Sequence, residues 1–150
     1  MFSISNGDEF EEFADELEAL QDDITDAIDA GVEVTAAQVE GSAKENAPVD
    51  TGTLRASIRF EQVSTGRYIV GSNVEYADDV EFGTSPHVIT PDDAEALRFP
   101  GEDGEPVFAM RVEHPGTPAQ PFLRPALREH ESDLVDNIES TIQTVVSRRF

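Results

Sequence analysis

The chain has 150 residues, 38% of them hydrophobic, with 32 acidic against 10 basic residues and a net charge of -22. One domain spanning residues 1–150, with one modest core, is expected at this length, burying roughly 70% of the surface its unfolded form exposes. The lack of cysteine excludes disulfides, thiol catalysis and cysteine-ligated zinc, and there is no run of about 18 apolar residues to cross a membrane.

The opening Met1-Phe2-Ser3-Ile4 turns acidic without forming a secretory signal, so a soluble product made in the cytoplasm is expected. Of the basic residues only Lys44 is a lysine. An excess of negative charge this large opposes compaction in dilute buffer, whereas at molar salt the screening length falls to about 3 Å and most of that penalty disappears. The composition therefore reads as a protein built for high salt. The competing reading is an acidic mimic of nucleic acid that inhibits a DNA-binding protein. It needs carboxylates at the density of duplex phosphates, about one per 1.7 Å of axis, while here they are spread through every kind of segment.

Asn6-Gly7-Asp8 offers a helix cap, followed by Glu9, Glu11 and Glu12 where the helix dipole favours negative charge. Phe10, Phe13, Leu17, Leu20, Ile24 and Ile28 then recur at spacings of three and four, one face of an amphipathic helix. Gly31 with Val32, Val34 and Thr35 weakens the pattern and marks the place for a kink or break, before Val39, Ala43 and Ala47 resume it. A single helix of about 40 residues would run roughly 60 Å, longer than such a domain is wide, so part of it would meet another subunit. Two shorter helices folded on one core are the alternative.

Pro48 ends the helix, because its ring pushes Ala47 out of the helical region and it has no amide to donate. Asp50 and Thr51 are placed to bond nearby amides, Gly52 tolerates a left-handed turn, and Leu54 and Ile58 anchor a short helical turn. Ile58, Phe60 and Val63 alternate with polar residues, Ser64-Thr65-Gly66 turns, and Arg67 to Gly71 returns as a β-hairpin. Val74 to Phe82 is ambiguous between helix and strand and ends at Gly83-Thr84-Ser85-Pro86. Val88-Ile89 suggests a short edge strand, and Asp92, Asp93 and Glu95 a helical turn or loop. Leu97 to Phe99 and Val107 to Val112 flank an acidic tip, Pro100 to Pro106, as a second hairpin. After the proline-rich crossing from His114 to Pro121, one last helix is expected, with Pro125 in its first turn and Leu127, Leu134, Ile138, Ile142 and Val145 on its buried face. Arg148 and Arg149 suit its negative end. The order predicts an α+β fold in which a long N-terminal helix and a C-terminal helix pack on one antiparallel sheet of four to five strands.

Motifs for chemistry are sparse. His87 and His114 lie in proline-bordered loops and His130 among carboxylates on a helix, with no metal-ligand spacing, so solvation accounts for them and a metal-dependent hydrolase is disfavoured. Nucleophile elbows, phosphate-cradling glycine loops and the basic, aromatic patches of nucleic-acid binders are missing. Neither an enzyme nor a cofactor is expected.

Three stretches occur in order: Asn46-Ala47-Pro48-Val49-Asp50-Thr51-Gly52-Thr53-Leu54-Arg55-Ala56-Ser57-Ile58; Tyr76-Ala77 through Val80-Glu81-Phe82-Gly83-Thr84; and His114 through Pro121-Phe122-Leu123-Arg124-Pro125-Ala126-Leu127. Together they resemble the tail-completion (head-tail joining, minor tail) proteins of long-tailed double-stranded DNA viruses, over residues 10 to 147. That resemblance implies a homo-oligomeric ring, typically a hexamer, in the virion at the head-tail junction, assembled in the host cytoplasm. Its partners would be the tail tube protein and the head-tail connector, with genomic DNA passing through the lumen unbound and no membrane involved. It also implies fold and assembly roles, not catalysis, for Pro48, Asp50, Thr51, Gly52, Leu54, Tyr76, Glu81, Phe82, Gly83, Thr84, Pro121, Phe122, Leu123 and Pro125, with Leu54, Phe82 and Phe122 as packing anchors. The acidity departs from the family and suggests a virus of a halophilic, archaeal host.

Overall fold

A computed structural model describes residues 7–92, 95–101 and 103–149. The chain forms two compact units, Met1–Asn73 with Phe122–Phe150, and Val74–Pro121. In the first, α1 (Gly7–Asn46) is followed by α2 (Thr53–Ser57), β1 (Arg59–Ser64) and β2 (Arg67–Gly71), and the chain returns later as α4 (Leu123–Glu129) and α5 (Asp133–Arg149). The second holds α3 (Ala77–Phe82) and the strands β3 (His87–Ile89), β4 (Leu97–Pro100), β5 (Pro106–Ala109) and β6 (Val112–His114). Among the described residues no helix is long and apolar enough to cross a membrane.

The α+β class holds, but the single sheet does not: the strands form three two-stranded antiparallel ribbons, β1-β2, β3-β6 and β4-β5. The first is the hairpin expected around Ser64-Thr65-Gly66, with Phe60 opposite Val70 and Gln62 opposite Tyr68. The second expected hairpin is divided. Leu97 to Pro100 pairs with Pro106 to Ala109, while Val112 lies in β6 and pairs with Ile89, so the short strand after Pro86 takes its partner from 23 positions further along the chain. Strands of three or four residues supply too few ladder bonds and too narrow a face to gather a common sheet. Of the helical turn or loop expected at Asp92, Asp93 and Glu95, Asp92 and Glu95 lie in bends and Asp93 lies outside the described residues.

The N-terminal helix is continuous over 40 residues, so the two-helix alternative falls. Gly31 does not break it. A Cβ built at Gly31 would stand 2.7 Å from the Ile138 backbone, which makes this glycine the notch through which α5 crosses α1. Small buried residues continue that seam at Ala27, Ala36, Val39, Ala43 and Ala47. Polar ties reinforce it: the Thr141 hydroxyl donates to the Ala27 carbonyl (2.6 Å), and the Asn137 side-chain amide donates to the Thr35 hydroxyl (3.0 Å) and the Gln38 side-chain Oε1 (2.8 Å). Replacing glycine by alanine inside a helix ordinarily gains about 1 kcal/mol in propensity. Here the methyl meets backbone, and overpacking of that kind costs about 1–3 kcal/mol. Gly31→Ala is therefore expected to destabilise, read as a lower denaturation midpoint with an unchanged slope.

The expected single C-terminal helix is two. Its first part ends at His130, whose N–H reaches the Ala126 carbonyl, and the second starts at Asp133. The turn shifts the phase of the apolar positions, which corrects the burial expected there: Leu127 is 61% exposed and Leu134 lies at the surface, while Ile138, Ile142 and Val145 are half-buried. The start of α1 is more open. Phe10, Phe13 and Leu17 are 71%, 56% and 50% exposed, so this part of the apolar stripe has no cover among the described residues.

Candidate functional site

The first and third stretches of the resemblance meet in the first unit. Ala47, 3% exposed, closes α1 through its N–H to the Ala43 carbonyl (3.0 Å), and Pro48 follows. Gly52 takes the left-handed conformation, φ 80°, that starts α2, and Thr51 accepts the Thr53 N–H at 3.4 Å while Asp50 stays exposed. Leu54 and Ile58 are buried as one pair of anchors. The Asn46 side-chain amide points to the Phe122 carbonyl at 3.5 Å. Phe122 itself is fully buried at the entry of α4, where Leu123 and Pro125 occupy the first turn and Ala126 faces inward.

The second stretch and the crossing that leads to Pro121 meet in the other unit. Tyr76 starts α3, Glu81 is 3% exposed, and Gly83 ends the helix at φ 74°, ψ 171° with its N–H on the Asp79 carbonyl (2.9 Å). Thr84 and Thr117 exchange backbone hydrogen bonds at 2.9 and 3.1 Å, and the Gln120 N–H reaches the Val80 carbonyl at 2.8 Å. Phe82 departs from its expected packing role: its side chain is 62% exposed, a surface residue of the single chain. Pro121 is exposed as well. His87 and His114 face each other across β3-β6 with ring centroids 5.0 Å apart, and the Gly116 N–H donates to His114 Nδ1 at 3.1 Å.

Two carboxylates hold the β1-β2 hairpin on α1, and neither role was legible in the sequence. Asp29 accepts the Gly66 N–H (2.6 Å), the Tyr68 hydroxyl (3.1 Å) and the Gln62 amide (2.9 and 3.1 Å). Glu40 pairs with Lys44, the sole lysine, and accepts the Phe60 N–H at 2.8 Å. The Gly66 bond, against some burial and with help from Tyr68 and Gln62, holds the Asp29 carboxyl below its ordinary value. Lys44 foremost, then the Phe60 amide, does the same for Glu40. Burial and then Asp29 push the Tyr68 hydroxyl up. Carboxylates lowered in the folded state stabilise it above their ordinary values, 3.8 and 4.5, and that contribution is lost as pH falls through the lowered ones. Protonating the surface relieves self-repulsion in the opposite sense, so the measurement belongs in molar salt, where that repulsion is screened. There Tm is expected to fall as pH drops below about 4.5, with a shallower fall in Asp29→Asn and Glu40→Gln.

His130 also departs from expectation. Its side chain is 15% exposed and linked on both sides, Nδ1 to the Asp133 carboxylate (2.7 Å) and Nε2 to the Ser42 hydroxyl (2.8 Å). A hydroxyl, imidazole and carboxylate in line is the order of a nucleophilic triad, but acyl transfer also needs free N–H donors around the oxyanion. Ser42 lies inside α1, where the neighbouring amides are spent on the helix itself. The relay is a tie between α1 and the turn joining α4 to α5. Among the described residues no group of histidine and carboxylate side chains is set to hold a metal ion.

The positions of the resemblance form turns, crossings and buried anchors, beside an exposed apolar stripe on α1. Residues 11–83, just under half of the chain, match the HK97-gp10-like family, described as "Bacteriophage HK97-gp10, putative tail-component". The match is consistent with the tail-completion family that the sequence resembles, and it supports a structural tail component of a virion, in contact with other virion proteins. No curated protein and no solved structure matches.

Proposed function

We propose that the chain is a tail-completion protein, a single functional domain over residues 1–150 that assembles into a ring of six. The ring caps the tail tube at the head-tail junction and docks it to the connector, and genomic DNA passes through its lumen. The match over residues 11–83, which takes in most of α1, the Gly52 turn, the hairpin and α3, carries this reading. The uncovered Phe10, Phe13 and Leu17 support self-assembly, because a stripe of that kind on a soluble chain marks a contact. The motif residues from Pro48 to Pro125 act through fold and assembly. With a net charge of -22 the surface repels the passing duplex and does not bind it.

Electron microscopy in molar-salt buffer tests the proposal. Rings or capped tail tubes are expected, and a strictly monomeric protein that never associates with tails would overturn it. The acidity fits a virus of a halophilic archaeal host and carries its own prediction. Dialysis into dilute buffer lengthens the screening distance from about 3 Å to about 30 Å, and the helical circular dichroism signal should collapse. An unchanged spectrum would argue against design for high salt.

A further inference from the structure

We propose that neighbouring copies join head to tail, the N-terminal arm of α1 from one copy lying across the outer face of the β1-β2 hairpin of the next. This rests on the reading of the chain as a self-assembling ring and names the two surfaces that meet. The arm is residues 7–19. The register of α5 on α1, with Ile138 at Gly31 and Thr141 at Ala27, runs antiparallel, so α5 ends near Leu20 and leaves about 20 Å of helix beyond it. Every described side chain of the arm is exposed. It presents Phe10, Phe13 and Leu17 on one face, with seven carboxylates and no basic residue between Gly7 and Ala19.

The hairpin is its complement. From Thr51 to Val74 an otherwise acidic chain carries Arg55, Arg59 and Arg67 against a single carboxylate, Glu61, which is already paired with Arg59 at 3.2 Å. In the hairpin register Arg59 lies opposite Gly71 and Glu61 opposite Ile69, which puts these residues on one face. The other face, with Phe60 and Tyr68, turns toward α1. On the outer face Val63 and Ile69 are 50% and 52% exposed. A concavity of about 170 Å³ opens between Arg59, Ile69 and Asn73.

The alternatives are weaker. The arm cannot reach its own hairpin, because Asp29 and Glu40 fasten the hairpin to the same continuous helix, and Phe13 is about 24 Å along that helix from Asp29. Arm against arm would leave the exposed Val63 and Ile69 of the hairpin uncovered and the arginines unused. Two different patches on one chain make a heterologous contact, which repeats around a ring instead of stopping at a dimer.

Phe13→Asp and Ile69→Asp test the contact, since both positions are exposed and circular dichroism can verify that each variant folds. By light scattering after gel filtration in molar salt, each variant alone is expected to be monomeric. An equimolar mixture should give a one-to-one dimer, because the intact arm of the Ile69→Asp chain still finds the intact hairpin of the Phe13→Asp chain. As a check independent of charge insertion, Phe13→Cys with Ile69→Cys in this cysteine-free chain should crosslink into a ladder ending at the ring. Rings formed normally by Ile69→Asp would overturn the contact while leaving the ring intact. A wild-type chain that is monomeric at every concentration would overturn both.

Discussion

Phe122→Ala is expected to cost about 3–5 kcal/mol, the range for emptying an aromatic side chain from a packed core. Phe122 and Ile58 are the largest fully buried side chains, and the rest of the buried apolar set is mostly alanine. A seam of alanines lets helices approach closely but has little freedom to collapse into a void. The cavity term should therefore stay near its upper range. Against a total stability of about 5–15 kcal/mol, that is a large fraction from one residue. For a chain of this size each kcal/mol moves Tm by roughly 2–4 °C, so the fall should be about 6 °C at the least. Phe122→Leu keeps most of the volume and should lose much less. Thermal melts in molar salt decide it. A shift of under about 2 °C for the alanine variant would mean that Phe122 is not the keystone its burial indicates.

The loss should also reach assembly, because Phe122 sits where the two ends of the first unit meet. It caps α4, whose Ala126 is fully buried, and its carbonyl faces the Asn46 side chain at the end of α1. A loosened α4 leaves the α1 end of the seam unsupported.

What the sequence disclosed and what it hid divide along the distance between partners. The helix from Gly7, its stop at Pro48, the left-handed Gly52, the short turn holding Leu54 and Ile58, and the first hairpin are local. Each follows from period, a missing amide, or a glycine. The Ser42-His130 bond spans 88 positions, and Asp29 meets Gly66 across 37. In a chain with 32 acidic residues nothing local distinguishes Asp29 or Glu40 from a solvated carboxylate. Leu127 misled for a related reason. The turn at His130, which shifts the apolar period, has no glycine or proline to announce it. The exposed Phe10 and Phe13 are the informative case: their spacing marks one face of an amphipathic helix, and what covers that face is not found among the described residues. Among the motif residues Gly83 is the one whose demand on the backbone went furthest beyond what the sequence suggested.

Gly83→Ala is expected to destabilise the second unit by about 3 kcal/mol or more, through two separate costs. At φ 74° and ψ 171° the backbone is in a region that only glycine occupies comfortably, and a side chain there costs about 1–3 kcal/mol. The added Cβ would also stand 2.7 Å from the Ala119 nitrogen and 2.7 Å from the Thr117 carbonyl oxygen. Both are backbone atoms, so no rotamer change relieves the overlap. The crossing chain must retreat, and with it go the Thr84-Thr117 exchange and the Gln120 bond to Val80, each worth about 1 kcal/mol. Gly52 separates the two costs. It has a similar φ of 80°, but a Cβ there meets nothing within 4 Å, so Gly52→Ala should lose only the conformational part, about 1–2 kcal/mol. Hydrogen exchange reads the difference residue by residue. In Gly83→Ala the Thr84, Thr117 and Gln120 amides should exchange about 100-fold faster, since each 1.4 kcal/mol is a factor of about ten. The amides of α1 and α5, which belong to the other unit, should keep their protection. Unaltered protection at Thr117 and Gln120 would show that the crossing tolerates a side chain at Gly83. In that case the glycine would serve the conformation of the helix end alone.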